Sequence, residues 1–272
     1  MRVAVTGATG TIGSALVSEL HERGDEVTAL SRDAERATQM LGVPAEQWAA
    51  PTREPPPADA LRGRDAVVHL LGEPIAQRWT EDSKREILES RTLGTSNLVA
   101  ALRSLPESVR PRVLVSQAGT GFYGARGDER LDESAPAGDD FAARVVVAWE
   151  AAAGPAAELG MRVVTTRTGP VLSEGGALGK MLPFFKLGLG GPVNVTAPRP
   201  ATNKELSKAL GRAIHRPAVA PVPGFAVKVL YGEMAVIVTT GQRAIPARLT
   251  ELGYAFRRPE LEDALREATE RG

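Results

Sequence analysis

The stretch Val3-Ala4-Val5-Thr6-Gly7-Ala8-Thr9-Gly10-Thr11-Ile12-Gly13 constrains the fold more than any other part of the chain. A short β-favouring run leads directly into glycines at spacing G-x-x-G-x-x-G, and a helical pattern begins at once. The turn needs Gly7 because its dihedrals exclude a Cβ. Gly10 lets backbone approach a pyrophosphate, and Gly13 lets the helix close onto the strand. The N–H groups of Thr9, Thr11 and Ile12 then lie at a helix N-terminus, where unpaired donors and the positive dipole end favour phosphate. With a strand before it and a helix after it, this spacing reads as a dinucleotide-binding turn.

The rest of the chain agrees with that start. Ile12, Ala15, Leu16 and Leu20 form the apolar stripe of a first helix, with Gly24 as its stop. Strands are expected at Glu26–Leu30, Asp65–Leu71, Arg112–Ser116 and Arg162–Arg167, with long helices at Thr80–Arg103 and Phe141–Leu159 between them. The almost continuous apolar run DAVVHLL is what a strand covered on both faces requires. Pro51–Pro57 reads as surface loop. This alternation predicts an α/β fold, a Rossmann-type doubly wound parallel sheet, with ligands at the carboxyl ends of its strands. After about Val171 the pattern changes. A Gly-rich stretch holds a short helix around Met181–Lys186, and Pro192–Ala197 returns to the sheet as an edge strand. Thr202 and Glu205 form a capping box that opens a helix to His215. The expected division is a Rossmann domain over 1–173, joined by strand 192–197, and a small, mostly helical C-terminal cap over 174–272.

Composition narrows the function. The 33 basic and 33 acidic side chains balance, so no global field draws the chain to nucleic acid or an anionic membrane. With no cysteine and three scattered histidines, thiol chemistry and a metal site are not expected. His69, inside an apolar run, reads as a hydrogen-bonded core residue. No apolar run reaches the ~20 residues that span a bilayer, and no leader pattern opens the sequence. A cytoplasmic protein is expected.

Many short segments together resemble the atypical branch of the extended short-chain dehydrogenase/reductases often labelled epimerase family protein. They include Thr6–Gly13, Gly72-Glu73-Pro74-Ile75, Arg78-Trp79-Thr80-Glu81, Ser90-Arg91, Phe122-Tyr123-Gly124, Trp149-Glu150, Arg167-Thr168-Gly169, Pro192–Pro198 and Gly241-Gln242-Arg243. The resemblance implies bound NADP(H) and a C-terminal region without an assigned role. It further implies cofactor contacts at Leu70, Leu71, Gly72, Glu86, Arg91 and Val171. The residues themselves point to NADP(H): the second strand ends Leu30-Ser31-Arg32, with no acid at the position that would hold a ribose 2′-OH. Ser31 and Arg32 suit a 2′-phosphate, and Asp33 suits the cap of the next helix.

Reductases of this superfamily use Tyr-x-x-x-Lys on a helix; the lysine lowers the tyrosine pKa and holds the ribose. No tyrosine of this chain has a lysine four residues on. Phe141 and Val145 stand where the pair belongs, and neither moves a proton. Two readings stay open. In one, the chain is an oxidoreductase or sugar-nucleotide epimerase-like enzyme in which Tyr123 substitutes as acid, assisted by Ser116 or Thr120. In the other, it is an inactive NADP(H)-binding sensor or interaction module. The substrate is not legible, and a homodimer through the helices at 80–103 and 141–159 is the expected partnership. Family members also carry a further stretch of about 30 residues between the Leu-Gly-Leu-Gly-Gly run and the Pro-Val-Asn strand. The direct join of Gly191 to Pro192 therefore reads as a closed-up gap rather than a deletion.

Ser31-Arg32 predicts tighter binding of NADPH than of NADH. Loss of one charge-assisted hydrogen bond makes Arg32→Ala weaken NADPH by about tenfold or more, with NADH unchanged. Fluorescence titration measures both, and equal wild-type affinities contradict the assignment.

Overall fold

The structure, a computed structural model, describes residues 1–171, 191–213 and 224–270. Seven parallel strands form one sheet in the order β3-β2-β1-β4-β5-β7-β8. They are β1 (Arg2–Thr6), β2 (Glu26–Ser31), β3 (Ala45–Gln47), β4 (Ala66–His69), β5 (Val113–Gly119), β7 (Arg162–Thr168) and β8 (Gly191–Val195). The helices among them are α1 (Thr11–Glu22), α2 (Ala34–Leu41), α3 (Ala58–Leu61), α4 (Glu81–Ser104) and α5 (Phe141–Ala153). Strand order reverses between β1 and β4, which pair directly from Val3↔Ala66 to Thr6↔His69. That switch point is where a doubly wound sheet opens a crevice.

Two apolar layers cover the sheet. Val3, Val5, Val27, Val68 and Val115 pack with Leu16, Val17 and Leu20 of α1. Ala4, Leu30, Val67 and Leu114 pack with Leu98, Val99 and Leu102 of α4. Strands β1, β2, β4, β5 and β7 each contribute to both layers because successive side chains alternate faces. His69 is fully buried, with Nδ1 2.7 Å from Thr6 Oγ1 and Nε2 3.0 Å from Thr95 Oγ1. It is the hydrogen-bonded core residue expected.

Local signals set the helix ends. Asp33 accepts from the Arg36 N–H at 2.9 Å and caps α2. Thr80 and Ser83 cap α4 reciprocally, and Asp140 caps α5 through the Ala143 N–H at 2.8 Å. The helix expected to run to Leu159 ends at Ala153. A 3-10 segment follows over Gly154–Leu159, because Pro155 has no N–H to continue the α-helical ladder. Strand β3 and the two-stranded pairing of β6 (Arg130–Leu131) with β9 (Arg243–Ala244) were not legible in the sequence, whereas α2 is the helix expected after its Asp33 cap.

The C-terminal part is helical: α6 (Asn203–Ala213), α7 (Gly224–Tyr231), α8 (Ala235–Thr239), α9 (Ala247–Glu251) and α10 (Leu261–Glu270). The capping box opens α6, with the Glu205 N–H donating to Thr202 Oγ1 and the Thr202 N–H to Glu205 Oε2. The expected helix around Met181–Lys186 and residue His215 lie outside the described residues. The edge strand is present as β8, spanning Gly191–Val195 rather than 192–197. Residues 172–190, which precede the join of Gly191 to Pro192, lie outside the described residues. Gly191 and Pro192 are consecutive positions of one strand, opposite Val164 and Thr165 of β7. No helix among the described residues is long and apolar enough to cross a membrane.

The glycine turn is set by close approach. A Cβ on Gly13 would lie 2.2 Å from the Gly7 carbonyl oxygen, whereas one on Gly10 would lie 3.3 Å from it. Gly13→Ala therefore forces backbone apart and destabilises by about 1–3 kcal/mol or more, in the range of overpacked cores. Gly10→Ala changes stability by less than about 1 kcal/mol, since Gly10 has an ordinary extended conformation at φ −78°. Urea unfolding of the two variants distinguishes them, and equal losses contradict this account.

Burial pushes the His69 pKa down to about 3. The unfolded chain protonates this ring near its ordinary value of about 6.5, while the folded chain resists. The stabilisation is therefore complete above about 6.5 and is lost as pH falls towards 3, by about 1.4 kcal/mol per pH unit from this group. His69→Gln should flatten that acid limb in a pH series of unfolding curves. An unchanged slope contradicts the assignment.

Candidate functional site

The crevice at the switch point is built from three segments. The β1–α1 turn supplies Gly7, Gly10, Thr11, Ile12 and Gly13, and the chain after β4 supplies Leu70, Gly72, Glu73, Pro74 and Ile75. Arg91 of α4, Gln117 of β5 and Trp149 of α5 close it, enclosing about 200 Å³. Its two long walls are backbone. Gly7 sits at φ +64°, and a Cβ there would lie 2.7 Å from the Leu70 carbonyl oxygen.

The turn leaves donors free for a ligand. The Gly10 N–H donates to the Gly7 carbonyl at 3.0 Å. Helix α1 has no side-chain cap and no acid in its first turn, whereas α2, α4 and α5 are each capped by a side chain. Its positive end therefore faces the crevice unneutralised. Thr9 and Thr11 are exposed on this turn.

Two cations flank the crevice. Arg32 is exposed at the end of β2; its carbonyl accepts from Gln47 Nε2, and its guanidinium makes no ion pair among the described residues. Ser31 Oγ accepts from the Asp33 N–H at 3.3 Å. Arg91 is only 9 % exposed, and among the described residues it too has no carboxylate within ion-pair distance. Its Nη1 donates to the Ile87 carbonyl at 3.0 Å, and its guanidinium lies 4.9 Å from the Trp149 ring centroid. Burial lowers the Arg91 pKa to about 10, against the opposing pull of Glu73, so the group stays charged. A cation this deeply buried needs a compensating anion. Gly72 makes room for it: a Cβ there would lie 3.1 Å from the Arg91 guanidinium carbon.

A dinucleotide phosphate suits these features: an uncapped helix end, a cradle that side chains would fill, and an unpaired buried cation. Three other expected contacts are not among the described residues that line this cavity. Glu86 is on the exposed side of α4, and Leu71 packs towards Gly94, where a Cβ would lie 2.7 Å from its Cδ2. Val171 is 37 % exposed and does not line the crevice. Gln117, Pro74, Ile75 and Trp149 line it without having been singled out for cofactor contact. Trp149 stood within a recognised motif, but nothing in its spacing assigned it a role.

The candidate proton donors Tyr123 and Ser116 are both buried. Tyr123 is fully buried; its hydroxyl donates to Asn194 Oδ1 at 2.6 Å and accepts from Arg167 Nη1 at 3.2 Å. Burial raises its pKa, with Arg167 and Asn194 pulling the other way. In this arrangement the Tyr123 hydroxyl is engaged by Asn194 and Arg167, and the ring is not among the described residues that line the crevice. Ser116 is fully buried within β5, and its Oγ has no hydrogen-bond partner among the described residues. Phe141 packs edge-on against Trp79 at 4.8 Å, and Val145 is 1 % exposed in the same apolar cluster as Ile75 and Met234.

The motif residues left over form one network. Arg167, 3 % exposed, makes two bonds to Glu150, at 2.7 and 2.9 Å. Asn194 donates from Nδ2 to the Ile245 carbonyl at 2.8 Å, and its N–H donates to Glu133 Oε1 at 3.1 Å. The network ties β7 and β8 to α5, to the Tyr123 turn and to the segment entering α9.

Residues 3–187 match the model of the NAD dependent epimerase/dehydratase family, and residues 222–268 match a domain of unknown function, DUF1731. The Arabidopsis thaliana protein "Epimerase family protein SDR39U1 homolog, chloroplastic" is 36 % identical over 299 residues, covering 98 % of this chain and 86 % of its own. The human epimerase family protein SDR39U1 is 35 % identical over 305 residues, covering 98 % of this chain and 99 % of its own. These alignments exceed the 272 residues of this chain, so the relatives carry about 30 positions that it lacks. A crystal structure of human SDR39U1 (isoform 2) with NADPH superimposes with a TM-score of 0.86 at 31 % identity, covering 99 % of both chains. By the extent of the match and the near-full-length likeness of these relatives, the chain belongs to the NAD dependent epimerase/dehydratase family.

Proposed function

We propose that this chain binds NADP(H) at the β1/β4 switch point and holds it without the tyrosine–lysine relay of its superfamily. One observation carries the reading. A phosphate cradle is complete, yet the only titratable side chains lining the crevice, among the described residues, are Glu73 and Arg91. Ser31 and Arg32 would take the 2′-phosphate, and the α1 turn with Arg91 the pyrophosphate. The human relative with NADPH supports the choice of cofactor. When bound, the nicotinamide supplies or accepts hydride. The chain's own residues position it, and Phe141 and Val145 offer no proton to a substrate. The protein thus works as a cytoplasmic NADP(H)-binding sensor or module, with slow or no turnover. Leu93 of α4 and Val147 of α5, 43 % and 42 % exposed, support a homodimer through those two helices.

A second reading rests on Glu73, the only carboxylate lining the crevice among the described residues. Its N–H donates to Ser90 Oγ at 3.0 Å, which fixes its backbone beside Arg91. As an acid or base it would support oxidoreductase or epimerase-like turnover.

Single-turnover oxidation of bound NADPH with a panel of ketones, aldehydes and nucleotide sugars tests both. The expected result is saturable NADPH binding, abolished by Gly10→Val in a folded protein, with no oxidation above the protein-free rate. Brisk oxidation that Glu73→Gln removes establishes the second reading and overturns the first. Undiminished binding by Gly10→Val overturns the site itself.

A further inference from the structure

Trp149 lies on α5 four residues after Val145, so the two share a helix face one turn apart. The residue is 4 % exposed and lines the crevice, yet its indole Nε1 has no hydrogen-bond partner among the described residues. A buried donor left unpaired costs about 1–3 kcal/mol, and an indole N–H buried in a protein normally finds an acceptor. The Arg91 guanidinium over the ring fixes the plane of the indole. Gln117 of β5 also lines the crevice.

In sheets of this order the adenosine ribose lies at the end of β2 and the pyrophosphate at the N-terminus of α1. The remaining half of a dinucleotide extends across the switch point, towards β4, β5 and α5. The lysine of the usual dyad serves that half: besides assisting the tyrosine, it holds the ribose. Val145 cannot do so.

We infer that the Trp149 indole N–H, one helical turn beyond Val145, takes over the lost lysine's positioning role and donates to the nicotinamide riboside half of NADP(H). The inference rests on the NADP(H) reading above. An indole N–H is a donor only and does not lower a neighbouring tyrosine's pKa as an ammonium does. The substitution therefore keeps the grip on the cofactor and omits the proton chemistry. Trp149 is a positioning residue, and Arg91 sets the orientation of its ring.

Two ligands separate the halves of the cofactor. Trp149→Phe keeps a packing ring and removes the donor. It should weaken NADPH by about three- to tenfold, the loss of one hydrogen bond, and leave adenosine 2′,5′-bisphosphate unchanged. In wild-type protein labelled with ¹⁵N-tryptophan, three indole signals are expected, and Trp48→Phe and Trp79→Phe assign the third by elimination. That third signal should move downfield on saturation with NADPH and stay in place with adenosine 2′,5′-bisphosphate. The spectrum keeps the inference testable where Trp149→Phe does not fold. An unmoved Trp149 signal under saturating NADPH, or equal affinities of wild type and variant for NADPH, overturns it. If wild type binds neither ligand, the NADP(H) reading itself fails.

Discussion

An added Cβ on Gly7 would lie 2.7 Å from the Leu70 carbonyl oxygen, closer than carbon and oxygen approach without bonding. The first turn of the chain and the end of β4 are therefore held apart by backbone alone. Everything in the crevice follows from that contact. It places the uncapped end of α1 opposite Gly72, and Gly72 in turn gives space to the Arg91 guanidinium. His69 braces it from below, fixing Thr6 on one side and Thr95 of α4 on the other. A side chain at any of these glycines would fill either the space a phosphate needs or the space the backbone already occupies.

The second constraint is the buried Arg167–Glu150 pair. Removing one partner of such a pair typically costs about 3–5 kcal/mol, because the other charge is left without compensation. Here the pair also holds the Tyr123 hydroxyl, and through it Asn194 of β8. Residues that read as possible catalytic groups are thus spent on joining the sheet to the segment entering α9. This separates two jobs within one sheet edge. The β1–β4 side keeps its donors and cations open to a ligand, while on the β7–β8 side Arg167, Glu150, Tyr123 and Asn194 engage one another.

Much of this was legible in the sequence for physical reasons. The glycine spacing, the two-sided apolar strands and the caps at Asp33 and Thr202 all depend on local chemistry. The short β3 and the β6–β9 pairing depend on partners distant in sequence, so no local pattern announces them. No local pattern announces the bonds of Tyr123 either, because Asn194 and Arg167 are 71 and 44 residues away. Trp149 was passed over because an indole in a helix reads as packing until its N–H is seen without an acceptor.

On the proposed reading, the crevice holds NADP(H) while presenting it to no proton relay. A crystal structure of the protein with NADPH diffused into the site tests this directly. The account predicts the 2′-phosphate on Ser31 and Arg32 and the pyrophosphate at the α1 turn. Tyr123 should remain on Asn194 and Phe141 against Trp79. A cofactor lying elsewhere, or a Tyr123 hydroxyl turned into hydrogen-bond reach of the nicotinamide or a substrate at about 2.6–3.2 Å, would contradict it.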